Sequence, residues 1–178
     1  MKTWLRLVLI TMTVGGGFAG VLITGQLLFN SGSQGLAYSV IMAVFLALYA
    51  FVTASGLLFV YNPRRIHPLF AALAIQIPWI SSPLLVYKVA AGFHLVLTVG
   101  SFEYAGVSRV TFRAETLFGS MFNFVLLQKN PWSIGVNLFA LLLLVLLWKS
   151  ARTSDPVVQP IATLPADSTN QANSTLSI

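Results

Sequence analysis

Four long apolar stretches, almost free of charge and separated by short polar or basic breaks, dominate this chain: about Leu7–Phe29, Leu36–Tyr61, Leu69–Tyr87 and Ser133–Lys149. Hydrophobic residues make up 57% of the 178 positions and charged residues 8%, against about 45–50% and about 25% in soluble domains. A water-soluble core of this size cannot hide so much apolar surface, so the pattern predicts lipid as the solvent. The expected fold class is an all-α integral membrane protein, a four-transmembrane-helix bundle. It carries a short extracytoplasmic insertion of mixed strand and surface-helix character between its third and fourth helices. Residues 1–149 form the membrane domain, with the insertion at 88–131, and residues 150–178 a polar tail.

The first stretch follows Lys2 and Arg6, as a secretory signal would, with Gly17 and Ala19 near a cleavage position. Its apolar run continues through Val21–Phe29, which favours an uncleaved helix. Between the second and third stretches, Asn62-Pro63-Arg64-Arg65-Ile66-His67-Pro68 is bracketed by prolines and reads as a tight basic connector. Pro78 and Ser81-Ser82-Pro83 interrupt the third stretch, predicting a kinked or broken helix. The fourth lies between Trp132 and Trp148, as at two membrane interfaces.

In the insertion, Phe93–Gly100 and Arg109–Arg113 alternate with a strand period, the second more cleanly. Leu117, Phe118, Met121, Phe122, Val125 and Leu126 share one helical face, suggesting a helix lying on the membrane. An alternative places Pro83–Gly100 in the bilayer. From Ala151 onward the chain is rich in Ser, Thr, Pro, Asn and Gln, a composition that predicts disorder. Asn173-Ser174-Thr175 fits a glycosylation sequon, which chance alone supplies in such a tail.

Charge sets orientation and narrows the partners. The net charge is +6, but the cations sit singly or in pairs at the edges of apolar runs, where phospholipid headgroups lie. Membrane lipids are therefore expected partners, and nucleic acid is not. Four spans with Lys2, Arg6, Arg64, Arg65, Lys149 and Arg152 inside, and Lys88, Arg109, Arg113 and Lys129 outside, put both termini in the cytoplasm. The localisation expected is a multi-pass protein of the plasma or inner membrane. Arg64, Arg65 and His67 are candidates for contacting anionic headgroups.

Reactive chemistry is sparse. The absence of cysteine removes thiol catalysis, disulfides and thiolate metal sites. Two histidines placed on opposite sides of the membrane do not make a metal site, and no cofactor is implied. His94, Glu103 and Glu115 are candidate acid–base groups, with solvated glutamates pairing to Arg109 or Arg113 as the plainer reading. Ser101 and Ser120 each follow glycine outside any nucleophile elbow.

Small residues recur instead. Met12, Gly16, Gly20 and Thr24 follow at four-residue intervals, and Ala43, Ala47, Ala50 and Ala54 make a second stripe; such faces let helix backbones approach closely. The leading expectation is a non-catalytic subunit or scaffold that packs against itself, as a homo-oligomer, or against a larger membrane protein. A second is a small transporter or channel component using Gln76, Pro78, Ser81 and Ser82 at the break in the third helix. The third is a membrane enzyme acting on a lipid-like substrate.

Overall fold

The computed structural model describes residues 2–30, 35–104, 107–126 and 131–152. Two long helices come first. One runs Thr3–Asn30 as α1 (Thr3–Ile10), a π-helical segment (Thr11–Gly16) and α2 (Gly17–Asn30). The other is α3 (Leu36–Tyr61), which Asn62-Pro63 ends because the residue before a proline is pushed out of helical conformation. At 1.5 Å per residue they are each about 40 Å long, and both are long and apolar enough to cross a membrane.

The two helices pack antiparallel through small residues. Gly17 lies against Thr53, Gly20 against the ring of Tyr49, and Gly56 against Thr13 and Val14. A side chain at any of these glycines would push the helices apart. Hydroxyls on the helices are satisfied by carbonyls one turn back: Thr13 donates to Leu9 (2.7 Å), Thr24 to Gly20 (2.7 Å), Thr53 to Tyr49 (2.9 Å) and Ser55 to Phe51 (2.7 Å). Such back-bonding satisfies the buried hydroxyls within their own helices.

The rest of the chain corrects the four-helix expectation. Among the described residues only the two helices above have the length and composition of membrane spans, and the chain also forms a six-stranded antiparallel sheet. It is neither all-α nor a four-span bundle, and the multi-pass reading drawn from four spans falls with it. The third apolar run divides into a short helix α4 (His67–Ala74), strand β1 (Pro78–Ser81) and strand β2 (Leu85–Ala90). Pro78 and Pro83 do not kink a helix; Pro78 opens a strand, where its missing N–H is tolerated, and Pro83 sits in the β1–β2 turn. The fourth run begins as β6 (Ser133–Asn137) and becomes helical only at Leu138, as α5 (Leu138–Arg152). Asn137 closes the strand and caps the helix, its Oδ1 accepting from the Ala140 N–H at 3.3 Å.

Between them lie β3 (Phe93–Tyr104), β4 (Val107–Phe118) and β5 (Met121–Leu126). The strand period at Phe93–Gly100 and Arg109–Arg113 corresponds to the β3–β4 hairpin. The surface helix expected over Leu117–Leu126 is instead the end of β4 and all of β5. Gly119, at φ +129°, turns the chain between them and breaks the apparent helical period. Lys129, the polar tail beyond Arg152 and the sequon at Asn173 lie outside the described residues, as does the side chain of Glu103.

Strand order is β4-β3-β6-β1-β2-β5, so β4 and β5 are the two edges. Yet Gly119 and Ser120 alone join them, and Phe118 to Met121 can span at most about 11 Å. A flat sheet would hold those edges about 24 Å apart, five gaps of about 4.8 Å. The sheet must therefore coil until its edges converge at that corner. Register confirms the two faces. On the convex face, Phe112 pairs with Val99, Val99 with Ile134, Ile134 with Ile80, and Ile80 with Tyr87. The concave face carries Trp79, Val86, Ala90, His94, Val96, Thr98, Ser133 and Asn137, all buried.

The convex face of β2 and β5 lies against α3. Phe45 stacks on Phe122 with ring centroids 5.0 Å apart and meets Phe124 edge-on at 5.8 Å. The Tyr49 hydroxyl donates to the Met121 carbonyl at 2.8 Å, with the Ala90 carbonyl at 3.2 Å. At the π segment the contact is backbone to backbone. Met12 presents its sulfur to the Phe93 N–H (3.2 Å), and the Gly16 carbonyl accepts from Ser120. Gly92 turns there at φ +83°, a conformation favouring glycine. A Cβ on Gly16 would collide with the Gly92 nitrogen, whereas one on Gly15 would meet nothing within 4 Å.

Adjacent glycines should therefore answer the same substitution with opposite signs. Gly16→Ala should destabilise by about 2 kcal/mol or more through overpacking, and Gly15→Ala should stabilise by about 0.5–1 kcal/mol through helix propensity. Thermal unfolding in one detergent, followed by circular dichroism, measures both.

Candidate functional site

The concave face of the sheet brings buried polar and aromatic side chains together. Alternation along β1 exposes Pro78 and Ile80 and buries Trp79 and Ser81. Trp79 pairs with Gly135 of β6, and Gly135 in turn with Thr98 of β3. Glycine is needed there: a Cβ would press on the Thr98 methyl and lie 3.3 Å from the Trp79 Cβ. Trp79 is thus the cross-strand neighbour of a glycine that has no side chain of its own to pack.

Trp79 and His94 are 1% and 2% exposed, with ring centroids 5.5 Å apart and planes inclined at 42°. On the next strand, Lys88 places its ammonium 5.4 Å from the indole centroid, within cation–π range. Trp79 Nε1 and His94 Nδ1 are both buried, and neither has a hydrogen-bond partner. An unmet buried polar group costs about 1–3 kcal/mol, so two of them in ring contact mark the least satisfied place in the described molecule. Burial lowers the His94 pKa, opposed by the negative charge of Glu115. Glu115 itself pairs with Arg113 at 3.1 Å on the more open part of β4.

This arrangement can bind a polar atom: the indole donates, and neutral imidazole accepts or donates according to its tautomer. It holds no activated nucleophile. Thr98 gives its hydroxyl to the Arg113 carbonyl (3.1 Å), and Ser120 gives its own to Gly16. Among the described residues no three His, Asp or Glu side chains gather as metal ligands.

The residues singled out from sequence are dispersed. Gln76 clamps the end of α4 to the turn after β2, donating to the Ala72 carbonyl at 2.9 Å and accepting from the Ala91 N–H at 2.8 Å. Ser81 and Ser82 lie at the far end of β1, where Ser82 holds Leu85 at 3.0 Å. Gln76, Pro78, Ser81 and Ser82 thus form no common polar site, and the broken third span behind the transport reading is absent. Arg64, Arg65 and His67 are exposed around the α3–α4 connector. Gly16, Gly20 and Thr24 face inward, but Ala43, Ala47, Ala50 and Ala54 are all exposed. Sequence reasoning missed Trp79 altogether. The alternation Pro78-Trp79-Ile80-Ser81 was the available signal, masked by the apolar run around it.

The chain matches no protein-family model, no curated protein and no solved structure.

Because burial lowers the pKa of His94 in the fold, the folded chain binds fewer protons there than the unfolded one. Its contribution is complete above about pH 6.5, the unfolded value, and is lost as pH falls through that value toward the lower folded one. The melting temperature should drop between pH 7.5 and pH 5, and His94→Phe should flatten that dependence. Thermal melts across this range measure it, and an unchanged slope in the variant would remove His94 as the cause.

Proposed function

We propose that this chain is a membrane-anchored, non-catalytic subunit or scaffold that meets its partner through the outward face of α3. The observation that carries the reading is the division of labour between its small residues. Gly16, Gly17, Gly20 and Gly56 are occupied inside the molecule. Ala43, Ala47, Ala50 and Ala54 project outward with Val40, Val44 and Phe51, all exposed. An apolar face with a small-residue furrow suits close approach of another helix in lipid. That helix belongs to a second copy or to a larger membrane protein.

Orientation follows from charge. Lys2 and Arg6 precede the first helix, Arg64 and Arg65 follow the second, and Lys149 and Arg152 end α5, whose Leu147 packs with Leu5. The positive-inside tendency assigns this end, and with it the N-terminus, to the cytoplasm. Among the described residues, the non-catalytic reading is supported by hydroxyls engaged in structural hydrogen bonds.

Ala47→Leu with Ala50→Leu should abolish a cross-linked or native-gel complex without lowering the melting temperature, because both side chains point outward. Gly16→Leu is unsuited to this purpose, since it would disrupt the sheet–helix contact first. Intact assembly in the double variant would rule out this face.

A further inference from the structure

The end of the molecule where the first helix begins and α3 and α5 finish collects charge from three segments far apart in sequence. Leu5 and Leu9 of α1, Phe59 of α3, Leu69 and Leu73 of α4, and Leu143 and Leu147 of α5 form one core. Arg6 ties the first helix to the second by donating from Nη2 to the Val60 carbonyl at 3.1 Å. Packing of that core brings Lys2 and Arg6, Arg64, Arg65 and His67, and Lys149 and Arg152 to the same end. The acidic residues of the described part, Glu103 and Glu115, both lie on the sheet. Trp4, Tyr61 and Trp148 are exposed beside these cations, and the Arg152 guanidinium lies 3.8 Å over the Trp148 ring.

Exposed aromatic rings with cations beside them match the layering expected around a lipid headgroup. Apolar side chains continue inward, with Leu57 and Leu58 on α3 and Leu141, Leu142 and Val145 on α5 exposed. We infer that this end is a binding site for anionic phospholipid. Arg64, Arg65, Lys149 and Arg152 receive the phosphate-bearing headgroup, and the acyl chains lie beside Leu57 and Leu58 at the end of α3 and along α5. This rests on the membrane-anchored reading above and adds a lipid class to it. The site is assembled by tertiary packing: neither the Arg64-Arg65 connector nor the end of α5 supplies it alone.

The test is native mass spectrometry of the full chain in mild detergent, titrated with phosphatidylglycerol or phosphatidylcholine. Wild type should retain phosphatidylglycerol in preference, by about fivefold for each cation engaged. Arg64→Gln with Arg65→Gln, and separately Lys149→Gln with Arg152→Gln, should each reduce that preference tenfold or more. Arg109→Gln with Arg113→Gln, on β4, removes the same charge elsewhere and should leave it intact. Equal retention of the two lipids by wild type overturns the proposal without any variant, as does a preference lost only in the β4 variant. Alkaline carbonate extraction of native membranes reads the anchoring separately. Release of the chain would overturn the anchored reading, and the lipid ranking would still decide the headgroup site.

Discussion

A backbone-to-backbone approach between Gly16 and Gly92 sets the geometry of the whole molecule. The first long helix loosens into a π segment at Thr11–Gly16, the kind of local widening that leaves helix groups open to outside partners. There the Gly16 carbonyl takes the Ser120 hydroxyl, and Met12 meets the Phe93 N–H. Two turns of the sheet, at Gly92 and at Gly119-Ser120, are thereby seated on one stretch of helix. With those turns held, β2 and β5 must lie along α3, where Phe122 and Phe124 reach Phe45.

The coiling of the sheet follows from that corner. Because β4 and β5 are sequence neighbours but opposite edges, the two-residue connection draws the edges together and turns one face inward. Trp79 lies on the inward face, paired with Gly135 of β6. The indole and His94 nitrogens are buried there without a hydrogen-bond partner. The convex face away from α3 remains apolar, with Ile80, Leu97, Phe112, Ile134 and Val136 exposed. That exposure is continuous in character with the outer surfaces of the helices.

Legibility in the sequence depended on how far each element's partner lay along the chain. The hairpin of long helices was visible because its boundaries are local: cations at the start, a polar break after Phe29, and Asn62-Pro63 at the end. The β3–β4 pair was visible because a hairpin also carries its period locally. Residues 78–90 and 133–137 were not recognised as strands. They are short apolar runs whose composition suits a buried strand or a helix equally, and β1 and β6 find each other across more than fifty residues. Over Leu117–Leu126 a helical period arose by coincidence on two sides of a turn, and only the left-handed conformation at Gly119 separates them. Of the concave site, His94 was noticed as a titratable group, but nothing in its neighbourhood announced Trp79.

Composition and local pattern were enough to establish the apolar nature of the chain, its two long helices, its lack of thiol chemistry and the basic character of its breaks, since each is a property of contiguous residues. Packing determined which apolar runs became strands, which small residues were consumed and which left facing outward. It also brought Arg6, Arg64, Arg65, Lys149 and Arg152 to one end. Those outcomes depend on pairing between distant segments, where the same side chain is buried or exposed according to the partner it meets. Gly16 and Ala47 look alike in sequence; one touches the sheet and the other faces out.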